Sequence, residues 1–248
     1  RGIAHLGVLK ALEELGVSID YISGTSAGSI VGAFYANGFS PEEAMKIASK
    51  TNLFQIVWPA FSWKGVFSMS RSEDAFRKHF KNDDFSATKI PLRIVATNLN
   101  SGKAETFSEG VLVKPMMASC CIPFVFDPID INGDLYVDGG LVNNMPVEAI
   151  REDCDIVIGV NASPVLHEDK LGGTKKMIER ISMVSLSTNV ANSTAMCDLL
   201  IEPKALRSFG TFDIKMSKEI FNVGYEATHY IFKNQAEDDV IKRLRGTN

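Results

Sequence analysis

A serine with glycine two residues away on each side, Gly24-Thr25-Ser26-Ala27-Gly28, stands between an apolar run, Ile19 to Ile22, and a helix-like one from Ser29 to about Asn37. A G-x-S-x-G pattern that closes a strand and opens a helix is the setting of a nucleophile elbow. The glycines have a physical reason, because a β-carbon two residues to either side of so sharp a corner would meet the neighbouring backbone. The start of the helix adds partial positive charge beside the hydroxyl, which favours an alkoxide. The same five residues also read as an ordinary strand-to-helix turn. A phosphate-cradling loop is a third reading, although GxxxxGK[ST] and GxGxxG spacings are both absent.

A serine nucleophile needs a base. The four histidines are His5, His79, His167 and His229. His5 falls in the first helical pattern, His79 in a polar helix and His229 in a long C-terminal one. His167 lies in a loop-like stretch with no motif around it, so each reads as structural or solvated. Asp138 is the other candidate. It ends the apolar strand Leu135-Tyr136-Val137 and is followed by Gly139 and Gly140. A carboxylate there can meet another loop at the sheet edge where α/β sites form. Taken alone, Asp-Gly-Gly is also a plain turn signal.

The surrounding pattern supplies elements to hold these groups. Helical spacing runs over residues 3–15 and is stopped by Gly16. Ser40-Pro41-Glu42-Glu43 is a capping-box start for a helix reaching about Lys50. Residues 51–69 are irregular and carry Phe54, Trp58, Phe61, Trp63 and Phe67, a candidate acyl-chain or membrane-facing lid that reads equally as buried packing. A helix is predicted over 70–81. Strands follow over 92–97, 104–107, 134–137 and 155–160, and further helices at Pro146, over 175–198 and over 217–245. Alternating strands and helices predict one α/β domain, layered around a mostly parallel sheet.

The chain has 248 residues, 45% of them hydrophobic, with a net charge of −4 spread along its length. That balance argues against a nucleic-acid partner. Cys120, Cys121, Cys154 and Cys197 lack zinc spacing, so no metal is expected, and reduced thiols are the simpler reading than disulfides. No apolar run approaches the roughly 20 residues that span a bilayer, and no signal-peptide pattern is present.

The motifs together resemble the patatin-like phospholipase family, in its bacterial single-domain form. The resemblance is carried by Arg1-Gly2-Ile3-Ala4-His5-Leu6-Gly7, Gly24–Gly28, Ala118-Ser119-Cys120-Cys121-Ile122-Pro123, Asp138-Gly139-Gly140, Asn143-Asn144-Met145-Pro146, Phe212-Asp213 and Gly224-Tyr225-Glu226-Ala227. It implies a three-layer α/β sandwich over residues 1–248. It also implies a Ser26–Asp138 dyad without a catalytic histidine, acting on acyl esters of lipids without a cofactor. The family's oxyanion hole is a Gly-rich loop ending in a basic residue and glycine, here Arg1 and Gly2; the preceding glycines and first strand are not in this sequence. The alternatives are an acyltransferase or thioesterase with the same dyad, and a non-catalytic regulatory protein on the same domain, against which the intact Ser26 and Asp138 argue. The resemblance implies a lipid partner met at a membrane surface, and a cytoplasmic or peripheral location. A free carboxyl of pKa about 3.9 is a weak base, so the dyad requires a desolvated Asp138 bonded directly to Ser26. Without a histidine, no limb is expected in the pH–rate profile near about 6.5.

Overall fold

The computed structural model describes residues 1–50, 70–123, 126–163, 189–210 and 214–246, with positions 172, 173, 177 and 184 between them. The aromatic stretch 51–69, His167 and the Phe212-Asp213 pair lie outside the described residues. In chain order the helices are α1 (Ala4–Glu14), α2 (Ala27–Ala36), α3 (Pro41–Lys50), α4 (Ser70–Arg77), α5 (Val113–Ala118), α6 (Val190–Thr194), α7 (Ser217–Asn234) and α8 (Asp239–Leu244). The strands are β1 (Ile22–Thr25), β2 (Leu92–Asn98), β3 (Lys103–Phe107), β4 (Ile129–Ile131), β5 (Asp134–Asp138), β6 (Ile158–Val160) and β7 (Leu199–Ile201).

The capping box forms as the sequence predicts: Ser40 N–H donates to Glu43 Oε2 at 2.9 Å and Glu43 N–H to Ser40 Oγ at 3.1 Å. The single C-terminal helix expected over 217–245 is two. α7 ends at Asn234, and Asp238 caps α8 by accepting from Val240 N–H at 2.8 Å. Helix α5 was not predicted. Its Pro115 lies in the first turn, where no backbone donor is lost.

A central sheet lies between helices, as expected for an α/β layered domain. Its strand pairing is mixed. Among the described strands, β1–β2 and β6–β7 pair parallel, whereas β2–β3, β2–β5 and β4–β5 pair antiparallel. The connections dictate this. Four residues, 99–102, separate β2 from β3, too few for a parallel crossover. Asn132 and Gly133 join β4 to β5 with φ of 56° and 95°, the backbone of a two-residue hairpin turn.

The register around β2 decides where the site forms. β3 pairs with residues 94–98 of β2, so β1 (residues 92–95) and β5 (residues 96–98) must share the opposite edge. They run toward each other along it. β1 ends with Thr25 opposite Val95, and β5 ends with Asp138 opposite Ala96. Two strand ends far apart in sequence thus meet at consecutive residues of one central strand.

The largest apolar cluster packs α2 (Ile30, Phe34) and α5 (Met116, Met117) against Leu92 and Ile94 of β2. Alternation along β1 turns Ser23 and Thr25 to the other face. There their hydroxyls donate to the carbonyls of Pro146 (2.8 Å) and Asn143 (3.0 Å). Helix α1 crosses α7 at backbone contact: a β-carbon on Gly7 would lie 1.9 Å from Phe221 O, and one on Gly224 2.1 Å from Ala4 O. This crossing sets α1, and with it Gly2 and His5, beside the end of β1.

Candidate active site

Ser26 is the corner between β1 and α2. Its φ of 53° and ψ of −128° are unusual for a residue with a side chain, a backbone that costs about 1–3 kcal/mol and persists only where neighbours enforce it. The corner turns the hydroxyl toward the end of β5, where Ser26 Oγ donates to Asp138 Oδ2 at 2.7 Å. The other carboxylate oxygen, Oδ1, accepts from Gly140 N–H at 2.8 Å. The Asp138 backbone is fixed as well: its N–H donates to Cys121 O at 2.8 Å, and its carbonyl accepts from Thr97 Oγ1 at 2.9 Å.

Asp138 is 3% exposed. Burial pushes its carboxyl up to about 6, against the opposing pull of the hydrogen bonds from Ser26 and Gly140. The carboxylate is therefore still ionised at neutral pH and close enough to it to take a proton. Desolvation also puts a titration near pH 6 at this site, so the expectation of no limb in that region gives way.

The glycines around the dyad do different work. A β-carbon on Gly24 would lie 2.6 Å from Gly28 O, and one on Gly139 2.1 Å from Val95 O, so both are required by close backbone approach. Gly28 is not: its nearest neighbour would be His5 Nε2 at 3.9 Å. The symmetry of the G-x-S-x-G pattern is thus not a symmetry of crowding. Gly2 faces Ala27, where a β-carbon would come within 2.3 Å of the Ala27 side chain. Its backbone therefore runs beside the start of α2. Arg1 Nε donates to Phe209 O at 2.9 Å.

Arg1, Gly2, His5, Ser26 and Asp138 line one cavity of about 820 Å³, which extends along β1 and β6 and takes in Ile122 and Phe126. His5 contributes a neutral imidazole, since burial pushes it down to about 4. His79 packs against the Phe34 ring, centroids 5.8 Å apart, and burial lowers it too. The His229 ring packs tilted against Tyr225, centroids 4.5 Å apart, with Nε2 3.6 Å from Glu14 Oε2. Ser26 and Asp138 are thus brought together; His5 lines the same cavity beside them, while His79 and His229 make their contacts away from it.

Sequence reading missed Ser119. This fully buried side chain accepts the Ser26 N–H at 2.8 Å and donates to Val95 O at 2.7 Å. Its only sequence signal is membership of the Ala118–Pro123 motif.

An α/β sheet that presents a serine on a strand-to-helix corner, bonded to a buried carboxylate, has the layout of a serine-dependent acyl-transfer site. The chain belongs to the patatin-like phospholipase family, whose model matches residues 1–151. It is 28% identical over 282 residues to lysophospholipase NTE1 of Kluyveromyces lactis, covering 100% of this chain and 19% of that protein. It is 33% identical over 168 residues to an uncharacterised NTE family protein of Mycobacterium tuberculosis, covering 66% of this chain and 47% of that one. The chain thus spans about a fifth of the first of these relatives and under half of the second. VipD from Legionella pneumophila has a similar fold, with a TM-score of 0.56 at 14% identity over 94% of this chain and 65% of that one. No helix among the described residues is long and apolar enough to cross a membrane.

Proposed function

We propose that residues 1–248 form one patatin-like domain that hydrolyses acyl esters of lipids through a Ser26–Asp138 dyad. The observation that carries this is the 2.7 Å hydrogen bond from Ser26 Oγ to a carboxylate that burial has moved to about 6. Ser26 Oγ attacks the ester carbonyl carbon while its proton passes to Asp138 Oδ2. The tetrahedral intermediate collapses, and Asp138 returns the proton to the departing alcohol. Water, deprotonated by Asp138, then attacks the acyl-serine; Asp138 passes that proton to the departing Ser26 Oγ, the fatty acid is released and the free dyad is restored. Developing negative charge on the carbonyl oxygen is met by backbone donors at Gly2, within the Arg1-Gly2 turn, and at Ala27. One well-placed donor of this kind contributes about 3–4 kcal/mol to the transition state.

The lysophospholipase name of the Kluyveromyces relative supports a single-chain phospholipid as substrate; we propose in addition that the protein is cytoplasmic or peripheral and meets it at a lipid surface. The test is release of free fatty acid from lysophosphatidylcholine and from a short nitrophenyl ester by wild type, Ser26→Ala and Asp138→Asn. Both variants are expected to lose turnover on both substrates. Fatty acid release by folded Ser26→Ala at the wild-type rate would overturn the proposal.

A further inference from the structure

The dyad does not hold itself together. Ser26 and Asp138 are 112 positions apart, and each ends a strand that the other does not pair with. One three-residue segment, Ser119–Cys121, is bonded to both. The Ser119 hydroxyl accepts the Ser26 N–H at 2.8 Å. The Ser119 carbonyl accepts from Gly139 N–H at 3.4 Å, and the Cys121 carbonyl from Asp138 N–H at 2.8 Å. The Cys120 thiol donates to the Ser26 carbonyl at 3.2 Å.

The position explains the chemistry required of residue 119. β1 and β5 abut along the edge of β2 at Val95 and Ala96, and the ladder is interrupted where they meet. At that break the Ser119 hydroxyl gives its proton to Val95 O at 2.7 Å and offers a lone pair to Ser26 N–H. A hydroxyl can do both at once; a methyl group can do neither. Without it, the part-buried Ser26 N–H and the buried Val95 carbonyl would each lose a partner, at a residue whose backbone is itself strained.

We infer that Ser119 is a positioning residue that pins the Ser26 corner in its left-handed conformation and so keeps Oγ on Asp138. The inference rests on the dyad reading above. It predicts a particular kinetic signature. Substrate binding is made by other groups, so loss of the clamp should lower kcat and leave KM within about twofold. The expected fall is about 10- to 100-fold, the scale of one buried polar group left without its partner.

The experiment compares Ser119→Ala, Ser119→Thr and Ser26→Ala in the full-length protein, with folding followed by circular dichroism. Initial rates on a nitrophenyl ester are paired with the rate of fluorophosphonate labelling. Inactive Ser26→Ala with a folded, slowed Ser119→Ala, and recovery of most of the rate in Ser119→Thr, is the result expected. Should the added methyl of threonine prevent folding at this fully buried site, Ser119→Cys takes its place, with kcat between alanine and wild type. Three results would overturn the inference while leaving the dyad intact. In the first, Ser119→Ala keeps kcat within twofold of wild type. In the second, its loss appears in KM alone. In the third, a folded hydroxyl- or thiol-bearing variant is as slow as alanine. An active Ser26→Ala would instead sink the dyad itself.

Discussion

Replacing Asp138 by asparagine should stabilise the fold while it abolishes turnover. The Asp138 carboxyl moves from 3.8 to about 6 on folding, chiefly through burial. At about 1.4 kcal/mol per pH unit, that corresponds to roughly 3 kcal/mol held against the folded state once the group is ionised. The sign follows from the proton count. Between pH 4 and 6 the folded chain keeps a proton that the unfolded chain has lost, so stability falls as pH rises through this window and is flat above it. Asparagine removes the charge and keeps the shape. Its amide oxygen can accept from Gly140 N–H, and its amide nitrogen can donate to Ser26 Oγ. The variant should therefore exceed wild type by up to roughly 3 kcal/mol at pH 8, shrinking to about 1 kcal/mol at pH 4.5. For a chain of this size, the gain at pH 8 is about 6–12 °C in Tm. Urea or thermal unfolding of both proteins at the two pH values reads it directly. An asparagine variant no more stable than wild type at pH 8, or a gap that does not narrow at pH 4.5, would refute the claim that Asp138 is ionised against its surroundings.

The kcat/KM profile should rise with pH through a limb near 6, set by Asp138, and that limb should stay in place in His79→Ala and His229→Ala, which keep most of the activity. Gly28→Ala should fold and gain up to about 1 kcal/mol from helix propensity, because its β-carbon meets nothing closer than 3.9 Å. Gly24→Ala, at 2.6 Å from backbone, should lose activity and soluble protein. Gly7→Ala and Gly224→Ala drive a methyl into the facing helix backbone at 1.9 Å and 2.1 Å; each should lower stability by about 3 kcal/mol, the upper end of the usual scale of forced overpacking, measured by urea unfolding.

The parts of this molecule that could be read in advance are those written locally. The Ser40–Glu43 capping box, the strand over Leu92–Asn98 and the strand-to-helix corner at Ser26 depend on residues within a few positions of one another. The Asn132-Gly133 hairpin was equally local, and reading it would have given the antiparallel β4–β5 pair that the mostly parallel expectation missed. Helix α5 was hidden by Pro115, which looks like a breaker but sits where a helix tolerates it. What no local pattern shows is the shared edge of β2. The meeting of β1 and β5 at Val95 and Ala96 is a matter of register between strands some 70 and 40 residues distant. Ser119 escaped for the same reason: its partners, Ser26 and Val95, lie 93 and 24 positions away. The asymmetry of Gly24 and Gly28 likewise appears only when the helix is placed against the strand.

The most direct test of the mechanism is to catch the acyl group on the enzyme. Wild-type protein turning over a nitrophenyl ester, quenched in acid and digested, should carry the acyl mass on the peptide containing Ser26, and Ser26→Ala should carry none and release no nitrophenol. Full turnover by Ser26→Ala, or an acyl group found on another residue of the active enzyme, would contradict it.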